Sequence, residues 1–213
     1  MKTDDLIKAI AADAKSVEPP IAHTIAMAVG AGALISAFLF LWALGMRDNF
    51  VESIATSLRF VFKFVLTLSV AIPSFFLVRE LSRPDFRPGK KLWWLALAPA
   101  VLLIGIFFEL LSVPADAWHA QMVGHNAVAC MIVIPLLSLA PLAAVLYALR
   151  RGAPAHPAIA GAVGGLLSAG IAATLYASHC PDDSPLFLAA WYTIGIVLMT
   201  GIGALIGSRL LRW

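Results

Sequence analysis

The chain has 213 residues, of which 61% are hydrophobic and 13% are charged, and its mean hydropathy is +0.91. A soluble domain carries about 25% charged residues, so this chain has too few charges to cover a soluble surface. The same numbers exclude a disordered protein. The composition therefore predicts an integral membrane protein, and the net charge of +3 has to be interpreted from where the basic residues lie.

Six apolar segments are long enough, or nearly so, to cross a bilayer core as helices, which takes about 20 residues each. Their unbroken length favours helices over barrel strands, which alternate over about ten residues. We predict an all-α polytopic membrane protein with six transmembrane helices. The predicted spans are residues 21–46, 53–78, 92–111, 127–149, 158–177 and 186–207.

The distribution of Lys and Arg predicts the orientation of these spans. Twelve of the 15 basic residues fall on one side, Arg59 and Lys63 lie within the second span, and only Arg47 lies on the opposite side. We therefore predict that both termini are cytoplasmic, in a bacterial inner membrane whose lipid bilayer is a direct partner. Because topology explains the basic excess, we predict no direct binding of nucleic acid.

Two pairs of glycines have the spacing that lets transmembrane helices approach closely. They are Gly161 with Gly165, and Gly203 with Gly207. This spacing is compatible with dimerisation, but we favour packing within one bundle.

Residues 1–20 precede the first span and have the pattern of a short amphipathic helix. Thr3 is suited to cap it, and Asp4 and Asp5 suit the positive end of the helix dipole. The apolar stripe comprises Leu6, Ile7, Ile10, Ala14 and Val17. The segment is slightly acidic, whereas helices that lie on membranes usually have a basic polar face. This favours a groove on a partner protein, with packing on the chain's own loops as the alternative.

The two cysteines fall on the side opposite the termini. Cys130 begins the fourth span, Cys180 lies in the loop 178–185, and His125 and His179 share that side. Neighbouring cysteines in an oxidising compartment form disulfides, and thiols with imidazoles bind soft divalent metals. Three interpretations stay open: a redox or metal-binding role for these four residues, a structural disulfide, or no pairing of the cysteines.

Charged residues within predicted spans usually face the bundle interior and pair with one another. Arg59 and Lys63 are four residues apart on one face of the second span, and Glu109 lies at a similar depth in the third. We predict an internal salt bridge in which Arg59 and Lys63 pair with Glu109. A transport pathway is the less favoured interpretation.

Four segments carry a family resemblance. They are MKTDDLIKAIAADAKSVEPP at the start, PSFFLVRELSRP leaving the second span, MVGHNAVAC ending at Cys130, and HCPDDSPLFLAAWY containing Cys180. With these motifs and six spans, the chain resembles the NrsF-type membrane anti-sigma factors over essentially its whole length.

The resemblance implies a regulator with no enzymatic activity and no required cofactor. Residues 1–20 would hold an extracytoplasmic-function sigma factor inactive at the membrane, and residues 21–213 would form the transmembrane sensor domain. Cys130 and Cys180 would sense redox or heavy-metal stress, through a disulfide or a transiently bound soft divalent metal. The implied sigma-binding residues are Asp4, Leu6, Ile7, Ile10, Ala11 and Asp13.

Two alternatives use the same residues differently. A membrane thiol oxidoreductase would use the cysteines catalytically and would need a quinone pocket. A small transporter would need a central polar pathway, toward which only Arg59, Lys63 and Glu109 point. Neither alternative explains the amphipathic segment at the N-terminus.

Overall fold

The computed structural model describes residues 3–13, 20–85 and 89–212, and for residues 9–13 it describes the backbone alone. Within these ranges the secondary structure is helical, with no strand. The α-helices are, in chain order, α1 (Thr3–Asp13), α2 (Ile21–Ala43), α3 (Phe50–Thr56), α4 (Leu58–Leu81), α5 (Leu97–Ser112), α6 (Trp118–Val123), α7 (Ala127–Leu149), α8 (Pro157–Ala177), α9 (Pro185–Phe187) and α10 (Thr193–Leu210). The remaining helical segments are the 3₁₀ turns Lys90–Ala96 and Ala115–Ala117 and the π-helical turn Leu188–Tyr192.

Six helical runs are long and apolar enough to cross a membrane, which confirms the predicted number. The turn Lys90–Ala96 continues into α5, and α9, the π turn and α10 form one run, Pro185–Leu210. The second span begins at Leu58 rather than at residue 53. The chain is extended at Ser57, so α3 is a separate short helix, and the Ser57 hydroxyl caps α4 by accepting a hydrogen bond from the Phe60 backbone N–H.

Large apolar side chains also cover the outside of the bundle. Leu34, Trp42 and Phe108 are more than half exposed, although each lies on a helix long enough to cross a membrane. A large exposed area of apolar side chains is unfavourable in water but favourable in contact with lipid. The exterior therefore agrees with a membrane protein.

The core is divided into two clusters, one at each end of the bundle. One contains Ile25, Leu81, Leu149 and Leu211, so the start of α2 and the end of α10 lie at the same end. We call this the terminal end. The other cluster contains Phe40, Cys130, Cys180 and Phe187. We call this the cysteine end.

Helix α8 is the centre of the bundle, because it packs against α10, α4, α7 and α2. Helix α5 is peripheral and packs mainly on α4. The sequence of α8 explains its position, since its buried face consists largely of Gly, Ala and Ser. Small side chains let several neighbours approach its backbone closely.

A proline in α7 creates a specific contact with α2. Pro141 has no N–H, so the carbonyl oxygen of Leu137 loses its usual partner within the helix. The buried hydroxyl of Ser36 on α2 donates a hydrogen bond to that oxygen at 2.6 Å. In an apolar environment an unpaired carbonyl is costly, and this contact therefore sets the position of α2 along α7.

The two glycine pairs face each other across the interface of α8 and α10. A Cβ atom on Gly161 would overlap the carbonyl oxygen of Gly203, and one on Gly165 would overlap the carbonyl oxygen of Met199. The backbones of the two helices are therefore in direct contact. This supports packing within one bundle as the role of the glycines.

Replacing Gly203 by alanine tests this contact. The new methyl group would overlap the Gly161 carbonyl and lie 3.0 Å from the Gly165 Cα, so we expect Gly203→Ala to lower the free energy of unfolding by about 2 kcal/mol. The measurement is denaturant-induced unfolding of the protein in detergent micelles.

The matched control is Gly201→Ala in the same helix. Nothing lies within 4 Å of a Cβ atom at that position, so the higher helix propensity of alanine should leave stability unchanged or raise it by up to about 1 kcal/mol. Equal losses in the two variants would contradict a close backbone contact at Gly203.

Candidate functional site

The structure brings the two cysteines together. Cys130 lies in the first turn of α7 and Cys180 three residues beyond the end of α8, and both are fully buried free thiols. Their side chains interact directly, and this interaction lowers the pKa of Cys180 below the usual range of a cysteine, helped by the positive charge of Lys63 and opposed by burial. The lowered pKa favours the thiolate of Cys180, which is the nucleophilic form of a cysteine.

Two tyrosines surround the cysteine pair. The ring centroids of Tyr176 and Tyr192 are 6.1 Å apart, and both rings belong to the buried cluster of the cysteine end. Among the described residues, the buried Tyr192 hydroxyl has no hydrogen-bond partner. The thiols are thus enclosed by aromatic and apolar groups rather than exposed to solvent.

The loop that carries Cys180 is the centre of a polar network, and we call residues 178–184 the hub loop. Its strongest anchor is Lys63 of α4, which is completely buried. The Lys63 Nζ donates to the carbonyl oxygens of Cys180 at 2.7 Å and Asp182 at 3.1 Å, and it pairs with the Asp183 carboxylate at 2.8 Å. The hub loop therefore provides three hydrogen-bond acceptors to the buried ammonium group, one of them a carboxylate.

Asp183 also pairs with Arg47, in the connection between α2 and α3, at 3.2 Å. The Arg47 guanidinium lies 3.9 Å from the centroid of the Phe60 ring, a cation–π contact. One carboxylate of the hub loop thus joins α4 to the α2–α3 connection.

Glu109 is buried near the end of α5 and pairs with Arg59 of α4 at 3.0 Å. Its other oxygen accepts a hydrogen bond from the Ser184 hydroxyl of the hub loop at 3.0 Å. The predicted pairing of Lys63 with Glu109 does not form, because Asp183 occupies the position next to the Lys63 ammonium group. The intramembrane charges therefore form two pairs, and the hub loop contacts both.

Asp182 fixes the segment that leads into α7. Its carboxylate accepts hydrogen bonds from the backbone N–H groups of His125 and Asn126 at 3.1 and 2.9 Å, and from the Asn126 side chain at 3.0 Å. Because Cys130 follows in the first turn of α7, this contact holds the two cysteine-bearing segments together.

The predicted metal ligands are not assembled as a set. The His125 side chain is 95% exposed and lies 3.6 Å from Asp182, and the Nδ1 atom of His179 lies 3.0 Å from the carbonyl oxygen of Gly45. Within the described part of the chain, no three His, Cys, Asp or Glu side chains are placed to hold a metal ion together. The potential metal ligands that the described structure brings together at the cysteine end are therefore the two thiols.

The predicted sigma-binding residues lie on α1. Asp4, Leu6 and Ile7 are on its first two turns and are exposed, Leu6 by 44% and Ile7 by 58%. The side chains of Ile10, Ala11 and Asp13 lie outside the described residues. The helix therefore leaves apolar side chains uncovered by the rest of the described protein.

Sequence reasoning missed several members of the hub-loop network. No motif or spacing in the sequence assigns a role to Arg47, Asn126, Asp183 or Ser184. One signal was available in the sequence: Arg47 is the only basic residue outside the spans on the cysteine side. A lone cation opposed by the adjacent acids Asp182 and Asp183 indicates a specific ion pair.

Replacing Asp183 by asparagine tests the hub loop. The change leaves the buried Lys63 ammonium group without its counter-charge, so we expect Asp183→Asn to lower the free energy of unfolding by about 3 kcal/mol. The control is Asp116→Asn, an exposed position at the same end of the bundle, which should change stability by less than about 0.5 kcal/mol. Unfolding in detergent measures both, and similar values would contradict the role assigned to Asp183.

Comparison with known proteins agrees with the resemblance of the motifs. Residues 10–213 match the protein family described as "Negative regulator of sigma F". The chain is 35% identical to the anti-sigma-F factor NrsF of Caulobacter vibrioides and 33% identical to the probable anti-sigma-F factor NrsF of Azospira oryzae, and each alignment covers 100% of both chains. No solved structure matches the chain significantly. The chain therefore belongs to the NrsF family of negative regulators of sigma F, in which its role is regulatory rather than catalytic.

Proposed function

We propose that this protein is an inner-membrane anti-sigma factor with two functional parts. Residues 1–20 hold an extracytoplasmic-function sigma factor in the cytoplasm, and residues 21–213 form the sensor that controls its release. The sensor responds when Cys130 and Cys180 are oxidised or capture a soft divalent metal. Membership of the family supports a sigma factor as the partner.

The observation that carries the sequestering role is the exposure of Leu6 and Ile7 on α1. A helix of 11 residues is marginal alone in water, and its apolar side chains gain stability from a complementary groove. Asp4 and Asp5 make the first turn acidic, which favours a basic partner. A sigma factor is basic where it contacts DNA.

The distribution of charge supports a cytoplasmic terminal end. At this end, the described basic residues lie outside the spans or in the last turns of the spans. They are Arg79, Arg83, Lys90, Lys91, Arg150, Arg151, Arg209 and Arg212. Outside the spans, the cysteine end has Arg47. Since cytoplasmic loops carry the excess of Lys and Arg, this distribution supports a periplasmic location of the cysteines, where disulfides persist.

The chemical step is the oxidation of two thiols to a disulfide. The Cys180 thiolate attacks the O–O bond of a hydroperoxide, which is reduced to an alcohol, and Cys180 becomes a sulfenic acid. The Cys130 thiol then attacks the sulfenic sulfur, forms the S–S bond and releases water. A cavity of about 340 Å³ lies against Pro181 and Asp182, directly after Cys180. Because both thiols are fully buried, an oxidant in this cavity reaches Cys180 when the hub loop opens locally. A soft metal would instead bind the two thiolates.

The hub loop couples this chemistry to the helices. A covalent bond at Cys180 changes the position of its carbonyl group, which the Lys63 ammonium of α4 holds at 2.7 Å. The same loop holds α5 through Ser184 and Glu109. Sensing therefore acts on the packing of α4 and α5 against the rest of the bundle, and the terminal end then loses its hold on the sigma factor.

Serine variants of the cysteines test the sensor. We expect Cys130→Ser and Cys180→Ser each to retain the sigma factor after treatment with a hydroperoxide, because neither can form the disulfide. The wild-type protein should release the sigma factor. A change in the ratio of bound to free sigma factor from 99:1 to 1:99 requires about 5.5 kcal/mol. Co-purification of the sigma factor with the protein in membranes measures the bound fraction.

A parallel treatment with Cd²⁺ separates the two signals. Release from wild type by Cd²⁺ but not by hydroperoxide would identify metal capture as the signal, and the reverse result would identify oxidation. If both serine variants released the sigma factor as wild type does under either treatment, the cysteines would not be the sensor.

An aspartate on the apolar stripe of α1 tests the sequestering role. Leu6→Asp removes an exposed apolar anchor, and we expect the affinity for the sigma factor to fall about 30-fold, the equivalent of about 2 kcal/mol. Thr3→Asp is the matched control, because it adds the same carboxylate at the polar start of the helix. Binding of the sigma factor to the detergent-solubilised protein provides the measurement, and unchanged binding by Leu6→Asp would refute the groove-binding helix.

A further inference from the structure

A second, basic cavity lies at the terminal end of the bundle. It is formed between the last turns of α4 and the turn Lys90–Ala96, and its volume is about 210 Å³. Two contacts join its walls: the Lys91 Nζ pairs with Glu80 at 2.8 Å, and the rings of Phe76 and Trp94 meet edge to face at 6.4 Å. We call it the arginine pocket.

The pocket has an uncompensated positive charge. Arg79, Arg83 and Lys91 line it together with a single carboxylate, Glu80, which is already paired with Lys91. Within the described ranges, neither Arg79 nor Arg83 has a carboxylate within 4 Å of its guanidinium nitrogens. The described lining thus has three basic side chains and one carboxylate, and its two guanidinium groups match phosphate geometry well.

The other wall of the pocket is apolar and continues onto the lipid-facing surface. Phe76 and Trp94 line the pocket, yet they are 45% and 56% exposed, and the neighbouring Trp93 is 77% exposed. Tryptophan at this depth is typical of the membrane–water boundary. A ligand that fills the pocket therefore meets positive charge at one side and hydrocarbon at the other.

We propose that the arginine pocket binds the phosphate group of an anionic phospholipid, with the acyl chains lying against Phe76 and Trp94. Basic pockets between transmembrane helices bind lipid headgroups of this kind. The proposal goes beyond the sigma-binding role and does not depend on it, since it requires only that the chain lies in a bilayer.

A general excess of basic residues at the terminal end does not account for this arrangement. Arg150 and Arg151 form another adjacent pair at the same end, but Arg151 contacts Tyr147, donating to its hydroxyl at 3.3 Å. That pair does not line the arginine pocket. Basic residues alone are sufficient to orient a protein in the membrane. The arginine pocket has a cavity and an aromatic wall in addition to its basic residues.

The test counts lipids on the purified full-length protein in detergent by native mass spectrometry. Dioleoylphosphatidylglycerol is the anionic probe and dioleoylphosphatidylcholine the zwitterionic one. We expect one tightly bound phosphatidylglycerol, with affinity falling about 30-fold in Arg79→Gln/Arg83→Gln, since each basic residue contributes about a fivefold change. The control Arg150→Gln/Arg151→Gln removes the same charge outside the pocket and should change the affinity by less than about threefold.

Several results would overturn the proposal. Equal retention of the two lipids, or equal loss in the two double variants, would show that no specific site exists at the pocket. Displacement of phosphatidylglycerol by inorganic phosphate at the same concentration would assign the pocket to a free anion. Displacement of phosphatidylglycerol by an added acidic peptide at the same concentration would assign the pocket to a protein partner. The single variant Arg83→Gln, an exposed position, should still show the fivefold loss if the double variant is unstable.

Discussion

The buried ammonium group of Lys63 imposes the arrangement of the cysteine end. A charge in an apolar bundle is tolerated only when counter-charge and hydrogen-bond acceptors surround it. The acceptors here are two backbone carbonyls and one carboxylate of the hub loop, so the loop must enter the end of the bundle. That position brings Cys180 against Cys130. The contact between the cysteines is thus a consequence of satisfying one lysine.

Because the position of the hub loop depends on Lys63, the cysteine end is suited to act as a switch. Hydrogen bonds to charged groups contribute about 1.5–3 kcal/mol each, and three of them join Lys63 to the hub loop. Weakening two or three such contacts is on the scale of the about 5.5 kcal/mol that reverses a 99:1 equilibrium. Cys180 supplies one of the three acceptors, so a displacement reaches this energy when it also moves Asp182 and Asp183 of the hub loop.

The sequence alone predicts the global arrangement well and the polar network incompletely. Long runs without charge identify six helices, because a bilayer demands about 20 apolar residues for each. The break at Ser57 escapes this criterion, since residues 53–57 contain no Asp, Glu, Lys or Arg. Matching residues by their depth along the spans pairs Arg59 correctly with Glu109 but gives the wrong partner for Lys63. The partner of Lys63 comes from a loop that folds back into the bundle, and hydropathy carries no information on where a loop returns.

The glycine contact between α8 and α10 has a mechanical consequence. Where two backbones touch directly, no side chain is available to change rotamer and absorb a displacement, so the pair has to move as one rigid body. Helix α5, by contrast, packs mainly on α4 through ordinary side chains. A backbone contact of the same kind joins α8 to α4, because a Cβ atom on Gly170 would lie 2.9 Å from the backbone nitrogen of Ala71. Helices α4, α8 and α10 therefore form the rigid part of the bundle, and α5 is the helix with the most freedom to shift.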